Sequence, residues 1–191
     1  MLRKLLAATI VAGLASQSPA FAQAPAAPTH RTTSQANETF KLVTKKAKQA
    51  ISGTVTGNDQ HVGFRAMIMK QAIKYNLGGY AKNEPNDVVS FTLQGDAKRL
   101  ADAVAVIREG TKKSSNIEVK TTPGTVDQAL DAFTIFAWTS TSRNITNPYD
   151  LVFKLRADDR KLSAADVKEV WQGILKSTLK GDDLKKLAAE D

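Results

Sequence analysis

The chain has no cysteine in its 191 residues, which excludes disulfides, thiol nucleophiles and thiolate metal ligands. Histidine is almost as scarce. His30 and His61 are the only two, so a histidine-rich metal centre is excluded as well. Apart from an N-terminal leader, no apolar run reaches the ~18 residues that a membrane-spanning helix requires, and no span is expected once the leader is removed. Aromatic residues make up 6% of the chain, and Tyr80 is the only candidate for stacking on a base. Basic strands without exposed aromatics make a poor RNA platform, so nucleic acid is not an expected partner. What the chain does have is a hydrophobic fraction of 42%, enough for a real core, and 27 Lys+Arg against 19 Asp+Glu, a formal charge of +8. That balance favours anionic partners, or simply a solvated basic surface. Lys112, Lys113 and Lys120 read as one solvated loop of that kind.

Residues 1–22 read as a secretory signal peptide: Arg3 and Lys4 precede a short apolar stretch, and Ala20-Phe-Ala22 is a small-x-small cleavage site. The protein is therefore expected to be secreted, into a bacterial periplasm. Residues 23–44 are rich in Ala, Pro, Ser and Thr without apolar periodicity and read as a flexible tether. The cluster beginning at Phe40 fits one helical turn or a strand start equally well.

From residue 45 the pattern becomes that of a folded domain. Ile51-Ser-Gly-Thr-Val55 alternates with period two, as a strand does. Phe64, Met67, Ile68, Ala72 and Tyr75 recur at helical spacing, and Asn76-Leu-Gly78-Gly79 supplies left-handed conformers to end that helix. Two extended stretches, 77–82 and 88–94, flank the turn Glu84-Pro-Asn-Asp87 and make a hairpin. Asp96 is the N-cap of a second helix, whose expected buried stripe is Ala97, Leu100, Val104 and Ile107, with Lys98, Arg99, Asp102 and Arg108 outward. Ile117-Glu-Val119 is a short strand, Pro123-Gly124 a turn, and residues 133–138 a last alternating strand. The order β-α-β-β-α-β is that of an α+β, ferredoxin-like sandwich, an antiparallel sheet with two helices on one face. Phe64, Met67, Leu100 and Phe133 are expected to share its core.

Residues 45–143 thus form one expected domain, and 144–191 a C-terminal strand and helical extension. Within the extension, Asn147-Pro148-Tyr-Asp150 reads as a turn and residues 151–155 as a strand extending the sheet edge. Ser163 and Asp166 make a capping box before Val167, Val170, Trp171, Ile174, Leu175 and Leu179, and a short helix follows from Asp182. That apolar stripe either packs on the domain or offers a surface to a protein partner or a membrane, with Trp171 as the anchor in both cases. A monomer is the expected state.

Chemistry concentrates between Val55 and Arg65, where a strand ends in a polar, glycine-flanked loop and a helix begins. Backbone N–H groups and a guanidinium at one helix start make a natural anion site. Arg65 there is read either as an anion ligand or as a helix-start arginine paired with a carboxylate, and Asn83 either as a site residue or as a strand-end residue.

Gly53-x-Val55-x-Gly57, Val62-Gly63-Phe64-Arg65, Gly78-Gly79-Tyr80-Ala81-Lys82-Asn83 and Gln94-Gly95 follow in that order. Together, over residues 46–140, they resemble the acylphosphatase family. The resemblance implies hydrolysis of the carboxyl-phosphate bond of acyl phosphates to carboxylate and inorganic phosphate, with no metal, no cofactor and no covalent intermediate. It assigns Arg65 to the substrate phosphate and Asn83 to orienting the attacking water. It places His61, Val62, Gly63 and Phe64 in the substrate-binding loop. Such a sparse site suits the chemistry, because the carboxylate is a good leaving group and the protein must mainly position water and stabilise charge. A planar guanidinium binds two phosphate oxygens at once, and an asparagine amide both donates to and accepts from a water.

Two departures from the family's pattern stand out. Nine residues, Thr56 to Phe64, separate Val55 from Arg65, the surplus being Asn58-Asp-Gln-His61, with a negative charge at Asp59. Asp87 replaces the usual glycine of the hairpin turn, where Asn-Asp tolerates the conformation. His61 is read as an exposed loop histidine, or as an acid or second phosphate donor near neutral pH. A non-catalytic exported module of the same fold, binding a protein partner or an anion, remains the alternative.

Overall fold

The computed structural model describes residues 47–58 and 63–188. The segments read as a signal peptide and a tether, the cluster at Phe40, and the loop residues Asp59, His61 and Val62 lie outside the described residues. Among those described, no helix is long and apolar enough to cross a membrane.

The βαββαβ series is formed by β1 (Gln49–Asn58), α1 (Phe64–Tyr75), β2 (Gly78–Glu84), β3 (Val88–Gly95), α2 (Ala97–Glu109) and β4 (Ser115–Gly124). β5 (Ala132–Ser140), β6 (Ile145–Lys154), α3 (Ala164–Thr178) and α4 (Gly181–Ala188) follow. The six strands lie in the order β4-β1-β3-β2-β5-β6. β1 and β2 both pair antiparallel with β3, so they run parallel to each other on either side of it. β5 adds parallel to β2, and β6 closes that edge antiparallel to β5. This is the α+β ferredoxin-like arrangement, widened by two strands.

Alternation explains which face the helices cover. Val89, Phe91 and Leu93 of β3 are buried, while Ser90 and Thr92 between them are half-exposed on the other face. The buried strand residues join Phe64, Ile68, Ile73, Leu100 and Ile107 from the helices in one core, with Phe133 inside it and Met67 packed at its margin. Gly53 belongs to this packing. The ring of Phe91 lies where its Cβ would be, so any larger residue there displaces that ring.

Asp96 caps α2 as expected, its side chain accepting from the Lys98 N–H at 3.0 Å. The α2 stripe differs in one member. Ala97, at the first helical position, is exposed, and Ala103 is buried in the next turns. Arg99 is half-buried rather than outward, with Nη1 donating to the Tyr75 carbonyl at 3.3 Å and pairing with Asp159 at 3.5 Å.

Two segments expected as turns are strand. Pro123-Gly124 lies inside β4, and Asn147-Pro148-Tyr-Asp150 inside β6. Both strands are sheet edges, where a proline's missing N–H need not interrupt a ladder on both sides. Lys120, expected in a loop, is likewise on β4, where its ammonium meets Glu118 at 3.2 Å.

The extension packs on the domain. Its stripe is occupied: Val167, Trp171, Leu175 and Leu179 are buried in the common core, and α3 lies against α1 and β6. Asn76, the left-handed C-cap of α1 at φ 55°, ties down the connection to α3. Its amide donates to the Arg156 and Asp158 carbonyls at 3.0 and 3.1 Å and accepts from the Arg156 N–H at 2.8 Å. The Ser163–Asp166 capping box is complete.

Candidate active site

Topology brings the site together. β1, β2 and β5 run parallel, so all three finish at the same end of the sheet, where α1 begins and α2 ends. Arg65 and Asn83, far apart in sequence, line one cavity of about 550 Å³ there.

Gly63 caps α1 in a left-handed conformation, φ 80° and ψ 17°, and no side chain caps the helix. The first turn carries no acidic residue, and its first intrahelical bond is from Met67 N–H to the Gly63 carbonyl at 3.0 Å. The preceding N–H groups, at Phe64, Arg65 and Ala66, belong to the orphan donors of a helix start, and all three residues line the cavity.

Arg65 forms no ion pair with a described carboxylate. Its Nη1 instead donates to the carbonyls of Phe136 at 2.6 Å and Ala137 at 3.1 Å. These carbonyls belong to a bulge in β5: Ile135 opposes Leu151 and Trp138 opposes Tyr149, leaving one extra residue on β5. Ala137 takes φ 48° at the bulge, and its N–H is held by Asp150 Oδ1 at 2.9 Å. The extra residue has two consequences. It turns carbonyls toward Arg65, and it restores Trp138 to the inner face, where it meets Trp171 edge-on at 6.2 Å. Partial burial pulls the Arg65 guanidinium down from its ordinary value. It stays charged, because arginine does not lose its proton in proteins.

Asn83 follows Ala81 on the inner face of β2, whereas Lys82 and Glu84 pair with each other on the outer face at 2.7 Å. Its Oδ1 is buried and has no hydrogen-bond partner. An orphaned acceptor carries a desolvation cost of roughly 1–3 kcal/mol unless a donor such as water reaches it.

Of the expected site residues, Gly63, Phe64, Arg65 and Asn83 are therefore gathered around one cavity, with the Phe64 side chain itself in the core. The sequence reading missed the rest of the wall. Lys70, Lys112, Lys113 and Arg143 also line it, and no described lining residue is acidic. Trp138 and Trp171 complete it on the side of the extension. The surplus of lysine and arginine was the only signal of this in the sequence, and it carries no position.

Fold and site together define a small α+β domain with a cationic cavity at a glycine-capped helix start. The sequence model described as Acylphosphatase matches residues 51–135. An acylphosphatase of Chlorobaculum tepidum is 31% identical over 94 residues, covering 49% of this chain and 98% of the relative. One from Rhodopseudomonas palustris is 36% identical over 78 residues, covering 41% of this chain and 78% of the relative. The solved structure of an acylphosphatase from Coxiella burnetii is 25% identical, covering 48% of this chain and 98% of that one, with a TM-score of 0.43. The chain belongs to the acylphosphatase family.

Proposed function

We propose that the protein hydrolyses acyl phosphates to carboxylate and inorganic phosphate, with Arg65 binding the phosphoryl group and Asn83 orienting the attacking water. One observation carries this reading. The Asn83 Oδ1 is buried and unpartnered at the same cationic cavity that Arg65 and the start of α1 line.

The chemistry follows from these parts. The Arg65 guanidinium is braced through Nη1 by the β5 bulge and presents its other nitrogens for phosphate oxygens. N–H groups of the α1 start, with Gly63 and Phe64, add oriented positive potential on the same group. A water donating to Asn83 Oδ1 has a lone pair left for phosphorus. As its oxygen bonds to phosphorus, the phosphorus–oxygen bond to the acyl group breaks and the carboxylate leaves with that electron pair. The water's proton passes to a phosphate oxygen. The cations stabilise the charge that spreads over the phosphoryl oxygens in the transition state.

The test is release of inorganic phosphate from acetyl phosphate by the secreted form, without its leader. Asn83→Ala is expected to lower kcat by about 10²-fold, the scale of a misplaced nucleophile, while phosphate still binds. Unchanged kcat in that variant removes Asn83 from the role. The alternative, a non-catalytic anion-binding module in the periplasm, is supported by the use of Nη1 on backbone carbonyls, and it requires phosphate binding without turnover.

A further inference from the structure

We propose that Asp150 is a positioning residue: it pins the β5 bulge, and the bulge in turn aims Arg65 at the anion in the cavity. The proposal rests on reading Arg65 as the phosphoryl site.

The register of β5 against β6 isolates the residues involved. Ile135 opposes Leu151 and Trp138 opposes Tyr149, so Phe136 and Ala137 on β5 face the single residue Asp150 on β6. Two residues against one leave backbone groups without a ladder partner. Ala137 takes φ 48°, a left-handed conformation that a methyl side chain does nothing to support. Its N–H is taken by Asp150 Oδ1 at 2.9 Å, so a carboxylate stands in for the missing ladder partner. Phe136 is anchored separately, by its ring against that of Tyr80 at 5.9 Å on the outer face of the sheet.

The two carbonyls of this bulge are the ones that accept from Arg65 Nη1, at 2.6 and 3.1 Å, one for each of its hydrogens. Arginine is long and rich in rotamers, and fixing its head group before a ligand arrives removes an entropy cost that binding would otherwise carry. Nη2 and Nε remain for phosphate oxygens. The hydrogen bonds thus run in series, from Asp150 to the bulge and from the bulge to Arg65. Asp150 comes from the extension, beyond the residues 51–135 matched to the family. The extension therefore braces Arg65 as well as covering the domain.

Calorimetry with inorganic phosphate and steady-state hydrolysis of acetyl phosphate test this on the wild type, Asp150→Asn and Asp150→Ala. Asp150→Asn keeps an oxygen acceptor for the Ala137 N–H and is expected to bind phosphate within about threefold of the wild type. Asp150→Ala is expected to bind it about tenfold more weakly and to lose kcat/KM by a similar factor. Asp150 is exposed on an edge strand, so its removal is expected to leave the fold intact. Asp150→Val, which suits a strand and also lacks an acceptor, replaces the alanine variant if that one does not fold. The NMR signals of the Arg65 guanidinium give a readout that a purely structural role would not move: hindered rotation in the wild type and Asp150→Asn, averaged signals in Asp150→Ala. If acetyl phosphate is not cleaved but phosphate binding follows this order, the hydrolase reading falls and the positioning role stands. Unchanged phosphate affinity in Asp150→Ala overturns the positioning role and leaves hydrolysis untouched. Tighter binding in both variants overturns it too, because Asp150 would then act only as a repelling charge, and a wild type that binds no phosphate overturns it together with the site.

Discussion

Two glycines of the motif segments, Gly63 at the site and Gly79 at the start of β2, are required for different reasons. Gly63 is left-handed, yet a Cβ built on it meets nothing within 4 Å. Gly63→Ala therefore costs only backbone strain, about 1–2 kcal/mol, and misdirects the first N–H groups of α1. Gly79, at φ 140°, lacks that freedom, because a Cβ there overlaps the Thr92 carbonyl across the sheet. Gly79→Ala is expected to lose more stability than Gly63→Ala. Urea unfolding of the two variants checks the order, and a larger loss at Gly63 contradicts it. At this scale the sequence was most legible. Arg65, Asn83 and the glycines sit in short motifs whose spacing survives translation into geometry. Lys70, Arg143 and Trp171 were not legible as neighbours, because only tertiary packing places α1, the turn after β5 and α3 around one cavity.

Elements were legible by periodicity and misread by punctuation. Pro123 and Pro148 look like turns in composition, yet both lie in edge strands, which accept a residue without an N–H. The β5 bulge left no trace either: residues 133–138 alternate acceptably in sequence, and the extra residue shows only against the register of β6.

The attachment of α4 to β6 carries a pH dependence. Asp183 is buried and accepts from Asn147 at 2.8 Å and Tyr149 at 2.9 Å, while pairing with Lys186 at 2.8 Å. The hydrogen bond from Lys186, then those from Asn147 and Tyr149, hold its carboxyl below the usual aspartate value. With the folded pKa depressed, this stabilisation is complete above the unfolded value of about 3.9 and is lost as pH falls through the folded one. On acidification, amide exchange of α4 is expected to accelerate before that of α1 and β3. Asp183→Asn should flatten that dependence. Uniform acceleration across the domain contradicts it.

The family's domain and the extension share one core. The apolar face of α3 covers α1 and β6, and Trp171 is 8% exposed between Trp138 and Lys70. Trp171→Ala is expected to cost about 3–5 kcal/mol, as for other buried tryptophans, and to open the cavity wall. A loss near zero by thermal or urea unfolding would mean that the extension is only loosely attached.

The most direct test of the central claim is the rate of benzoyl phosphate hydrolysis by the wild-type protein, Arg65→Lys and Arg65→Ala at neutral pH. Hydrolysis by the wild type is expected, with turnover nearly abolished in both variants. Lysine keeps the charge of Arg65 but not the planar fork, which meets the bulge carbonyls through Nη1 and has the geometry to take two phosphate oxygens in the proposed role. Equal rates in wild type and Arg65→Ala would contradict the assignment of this site to acyl phosphate hydrolysis.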